Sequence, residues 1–161
     1  MRAVIQRVRS ARVRVDERVV GEIDRGLLVL LGVAQGDEEA HAVELAEKIV
    51  GLRIFADADD KMNLGLAEAQ GRLLVVSQFT LFADVRRDRR PFFGGAETPE
   101  RARVLCERFC TVAEALGVGV ARGEFGAMMQ VELVNDGPVT LIVDSADLGA
   151  PRRASQRGVD G

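Results

Sequence analysis

At 161 residues, 47% apolar and 29% charged, the chain has the size of one domain that can bury a full core without disulfides or metal. Its longest apolar stretch, Leu27 to Ala34, is interrupted by Gly32 and falls far short of the roughly 20 residues that a bilayer-spanning helix needs. The N-terminus is charged at Arg2 and again at Arg7, so it lacks the apolar segment of a secretory signal, and a cytoplasmic protein without membrane contact is expected.

In chain order, Ala3 to Val8 reads as a strand. Ala11, Val13 and Val15 alternate with Arg12, Arg14 and Asp16 as a second one. Asp16-Glu17 turns into a third strand, Val19 to Ile23, and Leu27 to Val33, apolar on both faces, reads as a strand in the sheet interior. Asp37 to Gly51 places Val43, Ala46, Ile49 and Val50 at helical spacing, with acids at its start where the helix dipole favours them. Leu52 to Phe55 is a short strand, Asp57 to Asn63 a polar loop, Leu73 to Thr80 a strongly buried strand and Arg86 to Gly95 a long exposed loop. Thr98 as N-cap and Pro99 at the first helical position open a second helix, which Gly117 closes. Val118 to Ala121, Val131 to Val134 and Val139 to Val143 complete about nine strands. Runs of strands with two helices predict an α+β domain over 1–144, its sheets packed and mostly antiparallel, with the helices on one side. From Ser145 onward Gly, Pro, Arg, Ser and Gln dominate, so 145–161 reads as a disordered tail.

Much chemistry is excluded by what the chain lacks. His41 is the only histidine and sits in the first helix among acids, where a surface position is expected. Cys106 and Cys110 lie four apart on the second helix, as partial core, so neither a zinc site nor a Ser-His-Asp or Cys-His site can be assembled. No glycine-rich nucleotide loop is present. No metal and no cofactor are expected. The formal charge of -3 argues against coating nucleic acid by charge alone, so RNA contact must be local. Arginines cluster at Arg7 to Arg14 and at Arg86 to Arg90, where they either form solvated faces or bind phosphate.

Two segments remain. Ser77-Gln78-Phe79-Thr80-Leu81 puts hydroxyls and an amide at the end of a buried strand, where they either satisfy nearby backbone or line a bound ester. Asn135-Asp136-Gly137-Pro138 has the composition of a hairpin turn, yet a Gly-Pro bond can also adopt cis and fix a carbonyl in an unusual direction.

Together these segments resemble the D-aminoacyl-tRNA deacylase (D-tyrosyl-tRNA deacylase) family. Ile5-Gln6-Arg7-Val8, Gly26 to Val33, Lys61-Met62-Asn63-Leu64 and Met129-Gln130-Val131 match in the family's order, over residues 1 to 144. The extension from Ser145 to Gly161 is a departure. The resemblance implies a homodimer that hydrolyses the ester joining a D-amino acid to the 3′-terminal ribose of tRNA, cleaves glycyl-tRNA as well and rejects L-aminoacyl-tRNA. It places Ser77, Gln78, Phe79 and Thr80 around the reacting carbonyl, with the Phe79 or Thr80 N–H as oxyanion donor and the substrate's 2′-hydroxyl assisting water. Thr80 as nucleophile ranks second, since no base is at hand to activate it. Gly137-Pro138 is implied as a cis pair supplied across the dimer to the partner's pocket, braced by Arg7, with Met129 lining that pocket. Arg7 read alone is a solvated strand arginine, and Met129 a core residue. The partner is the 3′ end of aminoacyl-tRNA. The rivals are a non-enzymatic RNA-binding module using Arg86 to Arg90 and a hydrolase of small D-amino esters.

Overall fold

The computed structural model describes residues 1–149. Arg2–Val15 is a single strand, β1, where two were expected. The cause is a slip in alternation. Ala3 and Ile5 point into one core, Val8, Ala11 and Val13 into a second, so the odd-numbered side chains change face between Val8 and Ala11. Strands β2 (Arg18–Ile23) and β3 (Gly26–Gly32) follow one another along β1 in one register, Val13 facing Gly21, Val8 facing Gly26 and Arg2 facing Gly32. Because β2 and β3 take that edge, β8 (Gln130–Asp144), which also pairs along β1, takes the other.

Helix α1 is Glu39–Val50. His41, expected on the surface, is half-buried and caps it, its Nδ1 accepting the Glu38 N–H at 2.9 Å. The next strand is β4 (Phe55–Ala56), which pairs with β5 (Met62–Leu64) in the segment read as a polar loop. The buried strand β6 (Arg72–Ser77) stops three residues before Thr80, and the chain turns into a 3-10 turn, Phe79–Phe82. Helix α2 is Pro99–Ala115 and leads to β7 (Val120–Arg122). Thr98 holds the N-cap position, but its hydroxyl makes no cap; the Glu97 carboxylate accepts the Thr98 N–H at 2.8 Å instead.

Pairing is parallel between β3 and β6 and between β6 and β7, so the sheet is mixed. Parallel neighbours need long crossovers. These contain α1 and α2, which pack together over one face of the sheet. The other face curls on itself around Val8, Ile23, Leu28, Leu74 and Val76 into a nearly closed barrel rather than two packed sheets. Eight strands are present among the described residues, because β1 and β8 each join two expected strands and β5 adds one.

Ser145–Asp147, expected to begin a disordered tail, forms a 3-10 turn. Buried Ser145 accepts the Met1 ammonium through Oγ at 2.7 Å, and the Asp37 carboxylate also holds that ammonium at 2.7 Å. The remainder of the expected tail, 150–161, lies outside the described residues. Among those described, no helix is long and apolar enough to cross a membrane.

The barrel closes where β2 meets β7. A Cβ on Gly21 would lie 2.3 Å from the Arg122 carbonyl oxygen, a backbone atom that cannot swing aside. Gly21→Ala is therefore expected to cost about 1–3 kcal/mol in urea unfolding. Gly65→Ala, whose Cβ meets nothing nearer than 3.5 Å, should stay within about 0.5 kcal/mol of the parent. Equal costs for the two would remove the close seam as a determinant of stability.

Candidate active site

Strand β6 ends at Ser77, opposite Leu31 of β3, and the Gln78 N–H donates to the Leu31 carbonyl at 2.8 Å. That bond starts the 3-10 turn at the rim of a cleft of about 730 Å³. Ser77, Gln78, Phe79 and Thr80 all line the cleft. The Gln78 amide donates to Thr80 Oγ1. As the first two residues of the turn, Phe79 and Thr80 have N–H groups that no carbonyl within it can accept, and among the described residues neither finds another acceptor.

The β7–β8 connection, with Phe125, Met128 and Met129, α2 and the end of β3 also line the cleft. Met129 both lines the cleft and packs on the barrel core. The Phe79 ring meets Phe93 edge-on at 5.1 Å, which ties the turn to the arginine-bearing loop. That loop is pinched at its base by paired hydrogen bonds between Asp84 and Phe92. Arg86 folds back on Asp84 at 2.7 Å, and its guanidinium pulls that carboxyl down to about 2. Arg87, Arg89 and Arg90 project into solvent.

Glu97 is the one carboxylate on the cleft wall. The Thr98 N–H, and secondarily Arg101, hold it below the usual carboxylate range, so its charge is committed to the start of α2. Cys106 also lines the cleft, but burial, with Cys110 and Glu107 adding, pushes its thiol up to about 12. Burial likewise raises Cys110 to about 12. Both thiols thus stay protonated and weakly nucleophilic near neutrality. The cleft offers hydrogen-bond donors and acceptors on an apolar background, without a side chain poised as a base.

Gly137 and Pro138 stand elsewhere. Asn135–Pro138 is not a hairpin turn but part of a bulge within β8: between the pairs Gln6–Thr140 and Val8–Asn135, Arg7 alone faces residues 136–139. Both segments flanking the bulge pair with β1, which is why no reversal occurs. Arg7 donates from Nε to the Asp136 carbonyl at 2.9 Å and from a terminal nitrogen to the Ile54 carbonyl at 2.6 Å. The Asn135 amide accepts the Val139 N–H at 2.7 Å and donates to the Val139 carbonyl at 3.1 Å. The Gly137-Pro138 bond is cis, both residues are exposed, and neither lines the cleft of its own chain.

Sequence reasoning missed Phe93, Glu97, Phe125 and Met128. A signal existed for the phenylalanines, since both sit in glycine-rich irregular segments, Phe93-Gly94-Gly95 and Gly123 to Gly126, where no regular element would bury them.

A family model described as D-Tyr-tRNA(Tyr) deacylase matches residues 4–144. A protein of Roseiflexus castenholzii named D-aminoacyl-tRNA deacylase is 57% identical over 98% of this chain and 100% of its own length. One of the same name from Desulfatibacillum aliphaticivorans is 59% identical over 90% of this chain and 99% of its own. The solved structure of a c-Myc DNA Unwinding Element Binding Protein superposes with a TM-score of 0.83 at 35% identity, covering 89% of this chain and 98% of that one. A second, titled as a probable eukaryotic D-amino acid tRNA deacylase, shares the fold with a TM-score of 0.74 at 17% identity, over 88% of this chain and 97% of that one.

Burial of both thiols has a measurable consequence. Iodoacetamide at about pH 8 should leave the folded chain unmodified and alkylate both cysteines after urea unfolding, counted by mass spectrometry. Because each thiol titrates near 12 when folded and near 9.0 otherwise, their stabilising contribution is complete below about pH 9 and is lost as pH rises towards 12. The Cys106→Ala, Cys110→Ala pair should flatten that alkaline decline. Rapid alkylation of the native chain would contradict the assignment.

Proposed function

The chain belongs to the D-Tyr-tRNA(Tyr) deacylase family, and on that premise we propose that it hydrolyses the ester of D-aminoacyl-tRNA and of glycyl-tRNA, releasing tRNA and amino acid and sparing L-aminoacyl-tRNA. The observation that carries the site assignment is the 3-10 turn at the cleft rim, whose Phe79 and Thr80 N–H groups are uncommitted. An aminoacyl ester is already activated, so it needs positioning, donors for the developing oxyanion and access for water. These two N–H groups are the proposed oxyanion donors, and the substrate's 2′-hydroxyl assists the attacking water. Thr80 Oγ1 accepts a hydrogen bond from Gln78 and has no base to take its proton, which favours a positioning role over nucleophilic attack.

The Gly137-Pro138 carbonyls are proposed to grip the α-ammonium group in the cleft of a second copy of the chain, an arrangement that fits their exposure and their absence from the lining of their own cleft. An L side chain would strike this wall, whereas a D side chain points away from it. Glycine has nothing to strike, so glycyl-tRNA is cleaved too. Arg87, Arg89 and Arg90, all exposed, are proposed to contact phosphates of the acceptor end.

Incubation with D-tyrosyl-tRNA, L-tyrosyl-tRNA and D-tyrosine methyl ester tests the reading directly. Only the first should be hydrolysed. Rapid cleavage of the methyl ester would instead indicate a small-ester hydrolase, and binding of tRNA without turnover an RNA-binding module.

Gly137 tests the chiral wall. Its φ of +150° is a conformation that L side chains rarely adopt, and a Cβ there would lie 2.7 Å from Val139 Cγ2 and 2.8 Å from the Val139 nitrogen. Gly137→Ala must therefore displace the bulge. The D-tyrosyl-tRNA rate is expected to fall by about 10²-fold, the loss typical of a misplaced binding group, and the ratio of D to L rates should fall with it. A variant that keeps both would assign chirality to another element.

A further inference from the structure

Three residues lie side by side across the sheet beneath the 3-10 turn: Gly32 of β3, Arg2 of β1 and Asp144 of β8, with Arg2 in register opposite both of the others. None of them lines the cleft. The turn rests on this row. A Cβ on Gly32 would lie 2.9 Å from the Phe82 ring and 3.0 Å from the Gln78 carbonyl oxygen, so the missing side chain lets the turn sit down on β3. Arg2 places its fork on Asp144 at 2.7 and 3.1 Å, donates its remaining terminal nitrogen to the Leu81 carbonyl at 3.1 Å, and lies over the Phe82 ring at 5.3 Å.

Those contacts fall at the far end of the turn from the Phe79 and Thr80 N–H groups. The last carbonyls of a short helix have no N–H donor within it, and a guanidinium there both satisfies one and complements the local dipole. Across only four residues, fixing the carbonyl end also fixes the direction of the amide end. The Arg2–Asp144 pair is partly exposed, 38% and 26%, where an ion pair adds little to global stability. Its value lies in where it holds Leu81. We propose that Arg2, oriented by Asp144 and reaching a turn that the bare surface of Gly32 lets sit down on β3, is a positioning residue that aims the Phe79 and Thr80 N–H groups. The catalytic part of this proposal rests on the deacylase reading; the positional part does not.

Arg2→Met, Arg2→Lys and Asp144→Asn test it, with two readouts. Amide hydrogen exchange of Leu81 and Ala83, which donate to Gln78 and Thr80 within the turn, reports its rigidity without reference to any substrate. Arg2→Met should speed both amides about tenfold while the Val29 amide of β3 is unchanged, since local opening is independent of the core. On D-tyrosyl-tRNA the same variant should lose about tenfold in kcat with KM within about twofold, the pattern of an interaction used in the transition state. Arg2→Lys keeps the charge but cannot hold the carboxylate and the Leu81 carbonyl together, so it should recover only part of both losses. Asp144→Asn, which keeps one acceptor for Arg2, should fall between the parent and Arg2→Met. Unchanged exchange at Leu81 and Ala83, or parental kcat in Arg2→Met, would overturn the proposal. Should Arg2→Met fail to fold, the graded pair Arg2→Lys and Asp144→Asn decides by the same two measurements. A parent chain inert on D-tyrosyl-tRNA would defeat the deacylase reading, leaving hydrogen exchange to decide the positional claim.

Discussion

Strand β1 has both of its edges occupied along nearly its whole length, and this double pairing positions everything that bears on chemistry. One edge carries β3 and β2 in a common register from Arg2 to Val13, shifted by one residue only at Arg14, and the other carries β8. Through β3 the register passes to β6, whose last residue, Ser77, thereby stands opposite Leu31, and the next N–H closes on the Leu31 carbonyl. The edge shared with β8 fixes where the extra residues of that strand must bulge outward, at Arg7. Side chains alternate along a strand, so a slip of one residue in β1 would exchange its two core faces and move turn and bulge together.

Such rigidity matters because the cleft contains no strong reagent. General-base catalysis is worth roughly 10²–10⁴-fold, and a single oxyanion donor about 10²–10³-fold. With the two proposed donors and an activated ester, a site of this kind can reach useful rates without histidine or thiolate, provided that the donors are already aimed. Committed charges are consistent with this economy. Glu97 is used to start α2, Asp84 to hold Arg86, and Cys106 is kept protonated by burial.

Both helices, the interior strand Gly26–Gly32 and the presence of the buried strand from Leu73 were legible because each depends on local periodicity, whereas its end at Ser77, three residues before the expected Thr80, depends on the Gln78 N–H closing on Leu31 of a neighbouring strand. The joined strands were not. In β1 the alternation changes phase, and a phase change looks the same as a strand boundary when no partner is visible. In β8 the Asn-Asp-Gly-Pro composition of a turn is real, but it serves a bulge, since the chain continues along the same neighbour. Parallel pairing of β3 with β6 was equally hidden, because it depends on which strands become adjacent. Of the site residues, Ser77 to Thr80 and Met129 meet in one cleft, and Arg7 meets the Gly137-Pro138 bulge; that the two groups lie apart in a single chain could not be read from their order.

The bulge accounts for its backbone in an unusual way. Residues 136–139 have no ladder partner in β1, so the bonds that a strand would make must be replaced or forgone. Arg7 replaces one at the Asp136 carbonyl and Asn135 replaces two at Val139, while no side chain among the described residues binds the Gly137 or Pro138 carbonyl. Proline has no N–H to satisfy, and glycine no side chain to place. What remains is a pair of carbonyls on an exposed rim, held from behind by two side chains. A reader of chirality that must ignore the identity of the amino acid can touch only atoms common to all of them, the ammonium group and the α-carbon. A backbone surface braced from the rear meets that demand, and it explains why the invested side chains, Arg7 and Asn135, lie beneath the proposed wall and not in it.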